Sequence, residues 1–325
     1  MVSDRDKTAV RRETYRDLLS AALDSFLVPE HSRTWEEPTR EGEWCARGRI
    51  TQPVAVISTA LYCLTGDEKY RQRAAEFLLK EKAGYHFAAI YFAETYRTVA
   101  DLIDPDRRSE LIHAWIEDVP DAREQYIGAI DQDWWNWHHV KNHALCTCVY
   151  ADLARGLFPE KVGALRFERW TDPLWEVWWR HGEFQEQACN YEAFAQYFLS
   201  LWAELRGKTD EFHALPTVRN MFRRDLATVS PAGVPHAYGD SPHVTPGAGW
   251  IALFERLASE TGDGRYRTAA GQLCRWLTER GAGRSPSELQ LEPDRRPLVQ
   301  ARLHASEYLV VHARLALAAL WADFD

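Results

Sequence analysis

The chain has 325 residues, of which 46% are hydrophobic and 27% are charged, as in a soluble globular protein with a large buried core. The formal net charge of −9 leaves no basic excess to neutralise phosphates, which argues against nucleic-acid and membrane partners. The sequence has neither the apolar run of a signal peptide nor a segment long enough to span a membrane, and its six cysteines lack the spacing of a disulfide framework. These features predict a cytoplasmic protein with reduced thiols.

Apolar residues recur at helical spacing along nearly the whole chain, and the alternation typical of strands is scarce. This periodicity predicts an all-α protein. The predicted helices cover residues 7–27, 50–65, 68–81, 86–103, 106–117, 134–155, 172–180, 186–206, 216–229, 246–261, 264–280 and 298–322. Fourteen tryptophans are the unusual feature of the composition, and they fit either bulky core filling or a cavity lined with aromatic faces.

A Thr-Gly-Asp phrase with a following tyrosine occurs near both ends of the chain, within residues 60–71 and 260–267. Its glycine, Gly66 or Gly262, suits the left-handed position that ends a helix, and the aspartate after it suits the cap of the next helix. The phrase therefore predicts helical hairpins. Stacked hairpins can close into an (α/α) toroid, incomplete or with six hairpins, around a central cleft, and an open solenoid is the competing architecture. Without a long linker, we expect one domain over residues 1–325.

Residues 131–143 (DQDWWNWHHVKNH) combine acids, imidazoles, amides and indoles in one short segment. An aspartate can cap a helix that starts at Trp134, and Trp135, His139 and His143 then share one face of that helix. The two histidines have the spacing of a helical metal pair. No third ligand follows them and no glutamate lies between them, so we predict no metal and no cofactor. Histidines and asparagines that only satisfy buried backbone groups are the alternative.

Two later segments also carry polar groups suited to chemistry. Residues 180–192 place acids and amides before an apolar helix, with Tyr191 near its start as a packing residue or a proton donor. Residues 231–243 contain three prolines and two glycines, which predict an ordered loop that presents His236, Tyr238 and Asp240.

These three segments, in this order, resemble parts of the heparinase II/III-like polysaccharide lyases. Asn142-His143 resembles the asparagine–histidine helix of that family, residues 182–194 (GEFQEQACNYEAF) resemble its glutamate–tyrosine segment, and residues 231–241 (PAGVPHAYGDS) resemble its Gly-Asp-Ser loop. The match spans residues 130–250. It departs from the family at Glu192, where the family has histidine, and the chain has no room for the family's C-terminal β domain.

The resemblance implies an (α/α) toroid and β-elimination next to a uronate carboxylate. Asn142 would help to neutralise that carboxylate, His143 would act as base or neutraliser, and Tyr191 would act as general acid or base. The candidate catalytic residues are Asn142, His143, Tyr191, His139 and Asp240, and the candidate substrate-binding residues are Asp131, Asp133, Trp135, Asn136, Glu186, Arg180, His236 and Tyr238.

A second set of residues is similar to toroid enzymes of the linalool dehydratase-isomerase type, namely Cys189-Asn190 and the Leu-Thr-Gly-Asp-x-x-Tyr hairpin. That resemblance implies a small terpenoid alcohol in an aromatic pocket, with acidic residues and Tyr191 as proton carriers and no metal. Three hypotheses follow: a carbon–oxygen lyase for a uronate-containing oligosaccharide, a dehydratase or cyclase of a small apolar metabolite, and a toroid that binds a ligand without catalysis. We expect a small-molecule or oligosaccharide partner, and the oligomeric state stays open.

Overall fold

The computed structural model describes residues 10–26, 51–80, 86–127, 142–181, 189–229, 247–279 and 301–324. These residues form fourteen α-helices and no β-strand, which confirms the all-α prediction. The helices are α1 (Arg12–Phe26), α2 (Thr51–Thr65), α3 (Glu68–Leu79), α4 (Ala89–Val99), α5 (Pro105–Tyr126), α6 (Asn142–Leu157), α7 (Pro159–Val162), α8 (Glu168–His181), α9 (Cys189–Leu205), α10 (Thr209–Ala214), α11 (Pro216–Thr228), α12 (Gly247–Thr261), α13 (Gly264–Glu279) and α14 (Ala301–Trp321). A 3₁₀ turn, His86–Ala88, leads into α4.

One predicted helix boundary is wrong by about two turns. The sequence indicates that α5 ends at residue 117, whereas the helix continues through Pro120 to Tyr126. A proline inside a helix removes one backbone hydrogen bond and clashes with the preceding turn. Val119 and Ile127, on either side of this proline, are both buried in the core. Their burial offsets the local cost of the proline, so tertiary packing overrides the helix-breaking signal.

The two predicted hairpins share one turn geometry. Gly66 and Gly262 have φ values of 70° and 68°, the left-handed conformation expected after a helix. In each turn, the aspartate that follows the glycine accepts a hydrogen bond from the backbone N–H two residues later, at 3.1 Å for Asp67 and 3.0 Å for Asp263. The ring of Tyr266 then lies 5.9 Å from that of Phe254 in the preceding helix. The hairpin prediction is therefore confirmed for α2–α3 and α12–α13.

Six of the helices contact one another in a closed series. Going around it, α2 contacts α4, then α6, α9, α12 and α14, and α14 contacts α2 again. We call these six helices the central series. Five other helices pack against the central series. Helix α3 packs on α2 and α4, α5 and α8 pack on α6, α13 packs on α12, and α1 packs on α2 and α14.

Three successive helices of the central series, α4, α6 and α9, run in the same direction. His86, just before α4, contacts His143 at the start of α6, while Tyr96 near the end of α4 contacts Phe158 just after α6. Phe87 also contacts Phe194 near the start of α9. The N-terminal ends of α4, α6 and α9 therefore lie together at one end of the series.

The core contains most of the described tryptophans. Trp115, Trp178, Trp202 and Trp250 are each at most 1% exposed, and they belong to one contiguous cluster of buried apolar side chains. Trp175 packs edge-on against Trp202, with ring centroids 5.0 Å apart. Of the two explanations for the tryptophan content, bulky core filling accounts for these residues.

A buried arginine joins three helices of the central series. Arg256 of α12 is fully buried, donates to Glu204 of α9 at 2.6 Å, and lies 2.6 Å from Glu260 one helical turn later. Its guanidinium also lies 4.3 Å from the ring centroid of Trp321 in α14. Removal of one partner from such a buried pair costs several kcal/mol, because the other charge stays buried without compensation.

The turn glycines give a direct stability test. We expect Gly66→Ala to lower the free energy of unfolding by about 1–2 kcal/mol, because alanine is strained at positive φ. An added Cβ at Gly66 meets no atom within 4 Å, so the loss reports the backbone conformation alone. Chemical denaturation measures it. The matched control is Gly156→Ala in α6, where an added Cβ also meets no atom and where alanine should leave stability unchanged or raised. Equal losses in both variants would contradict the left-handed turn.

Candidate functional site

Two histidines meet where the N-terminal ends of α4 and α6 come together. His86 Nε2 lies 2.8 Å from His143 Nδ1, and the ring centroids are 5.0 Å apart. A hydrogen bond between two ring nitrogens needs one donor and one acceptor, so this contact holds a single proton. The contact therefore fixes both ring orientations and excludes the doubly protonated pair.

The start of α6 positions this pair. Asn142 and His143 are the first two residues of the helix, and Asn142 is 5% exposed. The first N–H groups of a helix have no partner within the helix and carry a partial positive charge. The Thr147 hydroxyl, one helical turn later, donates a hydrogen bond to the His143 carbonyl at 2.8 Å and so fixes the geometry of this turn. The partial positive charge at the helix start therefore disfavours a further cation at this site and favours a neutral imidazole or a bound anion.

Aromatic rings continue the wall away from the histidines. The ring of Phe87 packs edge-on against that of His143, with centroids 4.7 Å apart, and lies 6.3 Å from the ring of Phe194 in α9. The guanidinium of Arg314 in α14 lies over the ring of Phe194, 4.5 Å from the ring centroid. One continuous surface therefore runs from an imidazole pair, across two phenyl rings, to a guanidinium.

Arg314 lies inside the central series. Its guanidinium lies over the ring of Phe194 in α9 and interacts with the Tyr91 hydroxyl in α4. The helices α4, α9 and α14 alternate in the series and are not successive members of it. Side chains from alternate helices of a closed series can meet only in the space that the helices surround. Burial raises the pKa of the Tyr91 phenol, and the guanidinium opposes this shift by its charge and a hydrogen bond.

The next layer of side chains closes this space towards the C-terminal ends of the helices. Trp321 donates from its indole nitrogen to the Tyr197 hydroxyl at 2.9 Å. Arg256 lies against both rings, 5.3 Å from the Tyr197 centroid. Phe194 and Arg314, about one and two turns closer to the N-terminal ends of their helices, therefore sit above a filled floor.

Two of the predicted site residues have described side chains, Asn142 and His143, and both belong to this site. Arg180 lies in α8 and Tyr191 in the first turn of α9, where position 191 is one helical turn before Phe194. The other predicted site residues lie outside the described residues; they are Asp131, Asp133, Trp135, Asn136, His139, Glu186, His236, Tyr238 and Asp240.

Sequence reasoning missed His86, Phe87, Tyr91, Phe194 and Arg314. Two of them carry a recognisable signal. His86 opens a predicted helix with an imidazole, as the histidines of residues 131–143 precede α6, and Arg314 is a charged residue in a mostly apolar run of α14. Phe87 and Phe194 have the spacing of ordinary core residues, and only the packing of the helices assigns them to the site.

The opposite face of α9 carries a separate buried acid pair. Glu192 accepts hydrogen bonds from Gln196, at 3.2 Å, and from Arg224 of α11. Asp225, next to that arginine, is fully buried. Burial and the charge of Glu192 raise the pKa of Asp225 to about 7. Glu192, which stands where the resembled family has histidine, therefore binds to an outer helix.

A cleft of about 830 Å³ lies near the C-terminal ends of α6 and α9, away from the histidine pair. Its charged groups largely neutralise one another, because Arg206 donates to Asp152 at 2.9 Å and to Asp172 at 2.7 Å. Arg155 also donates to Asp152, at 2.9 Å. The cleft therefore offers paired surface charges rather than groups available for chemistry.

No protein-family model, curated protein or solved structure matches the chain. Within the described ranges, no three histidine, cysteine or acidic side chains are grouped to hold a metal ion. No helix in those ranges has the length and apolar character needed to cross a membrane. The local geometry around His86, His143 and Arg314 is therefore the basis for a functional proposal.

The buried acid pair predicts a pH-dependent stability difference between the wild type and Asp225→Asn. The folded-state pKa of Asp225, about 7, lies above the ordinary value of 3.8 for an aspartate, so its contribution to stability is present at low pH and is lost as pH rises towards 7. Asparagine does not ionise. The stability of Asp225→Asn relative to the wild type should therefore rise between about pH 4 and pH 7 and then level off.

Denaturant unfolding at several pH values measures this difference. Glu255 is also buried with a pKa raised to about 7, but it is present in both proteins and cancels in the comparison. Asp24→Asn, at an exposed position of α1, is the control and should run parallel to the wild type. A constant difference between Asp225→Asn and the wild type would refute the raised pKa.

Proposed function

We propose that the central series is the inner ring of an (α/α) toroid and that its N-terminal end is a catalytic cleft. The closed order of contacts, the common direction of α4, α6 and α9 and the outer positions of α3, α5, α8 and α13 support this architecture. Side chains of the alternate helices α4, α9 and α14 meet at Tyr91, Phe194 and Arg314. Their contact supports a ring whose centre is filled by side chains and whose N-terminal end is open. We further propose that residues 1–325 form one domain.

We propose that the protein is a carbon–oxygen lyase that acts on a uronate-containing oligosaccharide by metal-independent β-elimination. A base removes the proton from the carbon next to the carboxylate, a carbon–carbon double bond forms, and the bond to the leaving oxygen breaks. The leaving oxygen takes up a proton from a general acid. The proton on this carbon is only weakly acidic, so its removal requires hydrogen-bond donors that neutralise the neighbouring carboxylate in the transition state.

In this proposal, Asn142 faces the substrate carboxylate, His143 acts as base or as a second neutralising group, and Tyr191 transfers protons at the carbon and the leaving oxygen. One observation carries the proposal: the 2.8 Å contact between His86 and His143. A base works best when a neighbour fixes its orientation, and His86 meets that requirement. Tyr191 is one helical turn from Phe194, which lies on the aromatic wall of the same cleft.

The aromatic wall supports a second candidate, an intracellular dehydratase or cyclase of a small terpenoid-like metabolite. Phe87, Phe194 and Tyr91 offer apolar faces close to the histidines, as a site for a hydrocarbon chain requires. Arg314 favours the uronate, since a guanidinium that no acid of the described residues neutralises is costly beside an apolar ligand and suits an anion.

Incubation with a panel of uronate oligosaccharides tests the lyase. The unsaturated product absorbs ultraviolet light, and we expect its formation by the wild type. His143→Ala and Tyr191→Phe should each reduce the rate by about a hundredfold or more, because they remove proton-transfer groups. His113→Ala, at an exposed histidine paired with Glu117, is the control and should retain full activity.

The panel also separates the alternatives. An absence of product from every uronate, combined with turnover of a terpenoid alcohol, would favour the dehydratase. Ligand binding that survives in His143→Ala and Tyr191→Phe, without turnover of any substrate, would favour a toroid that binds without catalysis.

His86→Gln tests the orientation of the proposed base. We expect kcat to fall by about ten- to a hundredfold with a small change in KM, because His86 acts through His143 rather than on the substrate. The pH dependence of kcat should also shift, since the pair shares one proton in the contact. Unchanged kcat and an unchanged pH profile would show that the histidine contact is structural. Circular dichroism and the melting temperature report whether the variant folds.

A further inference from the structure

Arg314 is a cation in the central space that no carboxylate of the described segments neutralises. Among the described residues, no acidic side chain forms an ion pair with it, and its Nε has no hydrogen-bond partner. Its charge is stabilised by a cation–π contact with the ring of Phe194 and by an interaction with the hydroxyl of Tyr91. Both are weak substitutes for a carboxylate, since a guanidinium has five donors in a planar fork.

The neighbouring charges do not change this balance. Glu94, one helical turn after Tyr91, accepts from Arg97 at 2.8 Å. Arg256, in the layer below, has its own carboxylates in Glu204 and Glu260. Within the described part of the chain, Glu94 and Arg256 thus have oppositely charged partners, whereas Arg314 has none. A partly buried cation that is left uncompensated costs free energy, and an anionic ligand would recover it.

The direction of the wall also favours an anion. Arg314 lies against Phe194, Phe194 lies beside Phe87, and Phe87 packs against His143 at the start of α6. The N-terminal ends of α4, α6 and α9 add positive potential over the same space. A ligand with a carboxylate at one end and a ring along the wall matches this sequence of groups.

We infer that Arg314, with the Tyr91 hydroxyl beside it, is the specificity-determining residue that binds the carboxylate of the ligand. The inference rests on the proposed central cleft but not on turnover. Arg314 supplies the full charge at the carboxylate, the Asn142 amide adds a neutral donor to the same group, and the imidazole at the start of α6 remains available for the neighbouring carbon. The resemblance that pointed to Asn142, His143 and Tyr191 did not include this residue.

Binding of D-glucuronate and of the neutral D-glucose, measured by titration calorimetry at low ionic strength, tests the inference. The wild type should bind glucuronate at least about tenfold more tightly than glucose, because the acid gains charge-assisted hydrogen bonds. Arg314→Met should abolish this preference and leave glucose binding unchanged. Arg314→Lys should retain part of it, since lysine keeps the charge but not the planar fork.

Two controls separate a local effect from a general one. Arg107→Met removes an exposed arginine of α5 and should bind like the wild type. Tyr91→Phe keeps the ring and removes the hydroxyl, and should weaken glucuronate by a smaller factor than Arg314→Met. If Arg314→Met does not fold, Arg314→Lys decides the question, because it must weaken glucuronate without weakening glucose.

The inference is overturned if the wild type has no preference for glucuronate, or if the preference survives in Arg314→Met or is undiminished in Arg314→Lys. Its failure is distinguishable from that of the proposed lyase. Arg314-dependent binding without any unsaturated product would retain the anion site and reject the elimination. Product formation at the wild-type rate by Arg314→Met would retain the elimination and reject this role of Arg314.

Discussion

The buried guanidinium of Arg256 is the interaction on which the arrangement of the central helices depends most. It connects α9, α12 and α14 through two carboxylates and an indole ring, at the point where the series of contacts turns back towards α2. A buried charge has few acceptable positions, because each displaced partner leaves an uncompensated ion. The network therefore fixes how these three helices sit against one another, and with them the floor under Phe194 and Arg314.

The common direction of α4, α6 and α9 concentrates unlike groups at one end of the series. The starts of α4, α6 and α9 meet there, so backbone N–H groups, imidazoles and phenyl rings lie close together. At the other end, helices finish and charged side chains pair with each other, as Arg206 does with Asp152 and Asp172. The same helices thus produce an end suited to ligand chemistry and an end held by surface ion pairs.

Helix α9 shows how two faces of one element serve different purposes. Phe194 and Tyr197 contribute to the central space, whereas Glu192 and Gln196 bind to each other and to α11. The ion pair between Arg224 and Glu192 holds the first turn of α9 against an outer helix. Because position 191 belongs to this turn, the anchoring of Glu192 limits where a tyrosine at that position can lie.

The fold class and part of the candidate site could be predicted from sequence. Apolar periodicity is a local property, so it predicted the helices, and the Thr-Gly-Asp turns at Gly66 and Gly262 have the expected geometry because left-handed backbone and aspartate capping depend on a few neighbouring residues. Asn142 and His143 were found because their chemistry is unusual within one segment. The extension of α5 through Pro120 was missed, since burial of Val119 and Ile127 is a tertiary effect.

What the sequence by itself determined is most of the long helices, the hairpin turns at Gly66 and Gly262 and the presence of acid–base groups before several helices; it did not indicate the short helices α7 and α10. Only the tertiary structure decided that His86, 57 residues away along the chain, contacts His143, and that Arg314 lies close to the Tyr91 hydroxyl. Periodicity assigns a residue to a face of its own helix and is silent about which other helix that face meets. The site is made by pairs from different helices, and those pairs exist only after the helices have packed.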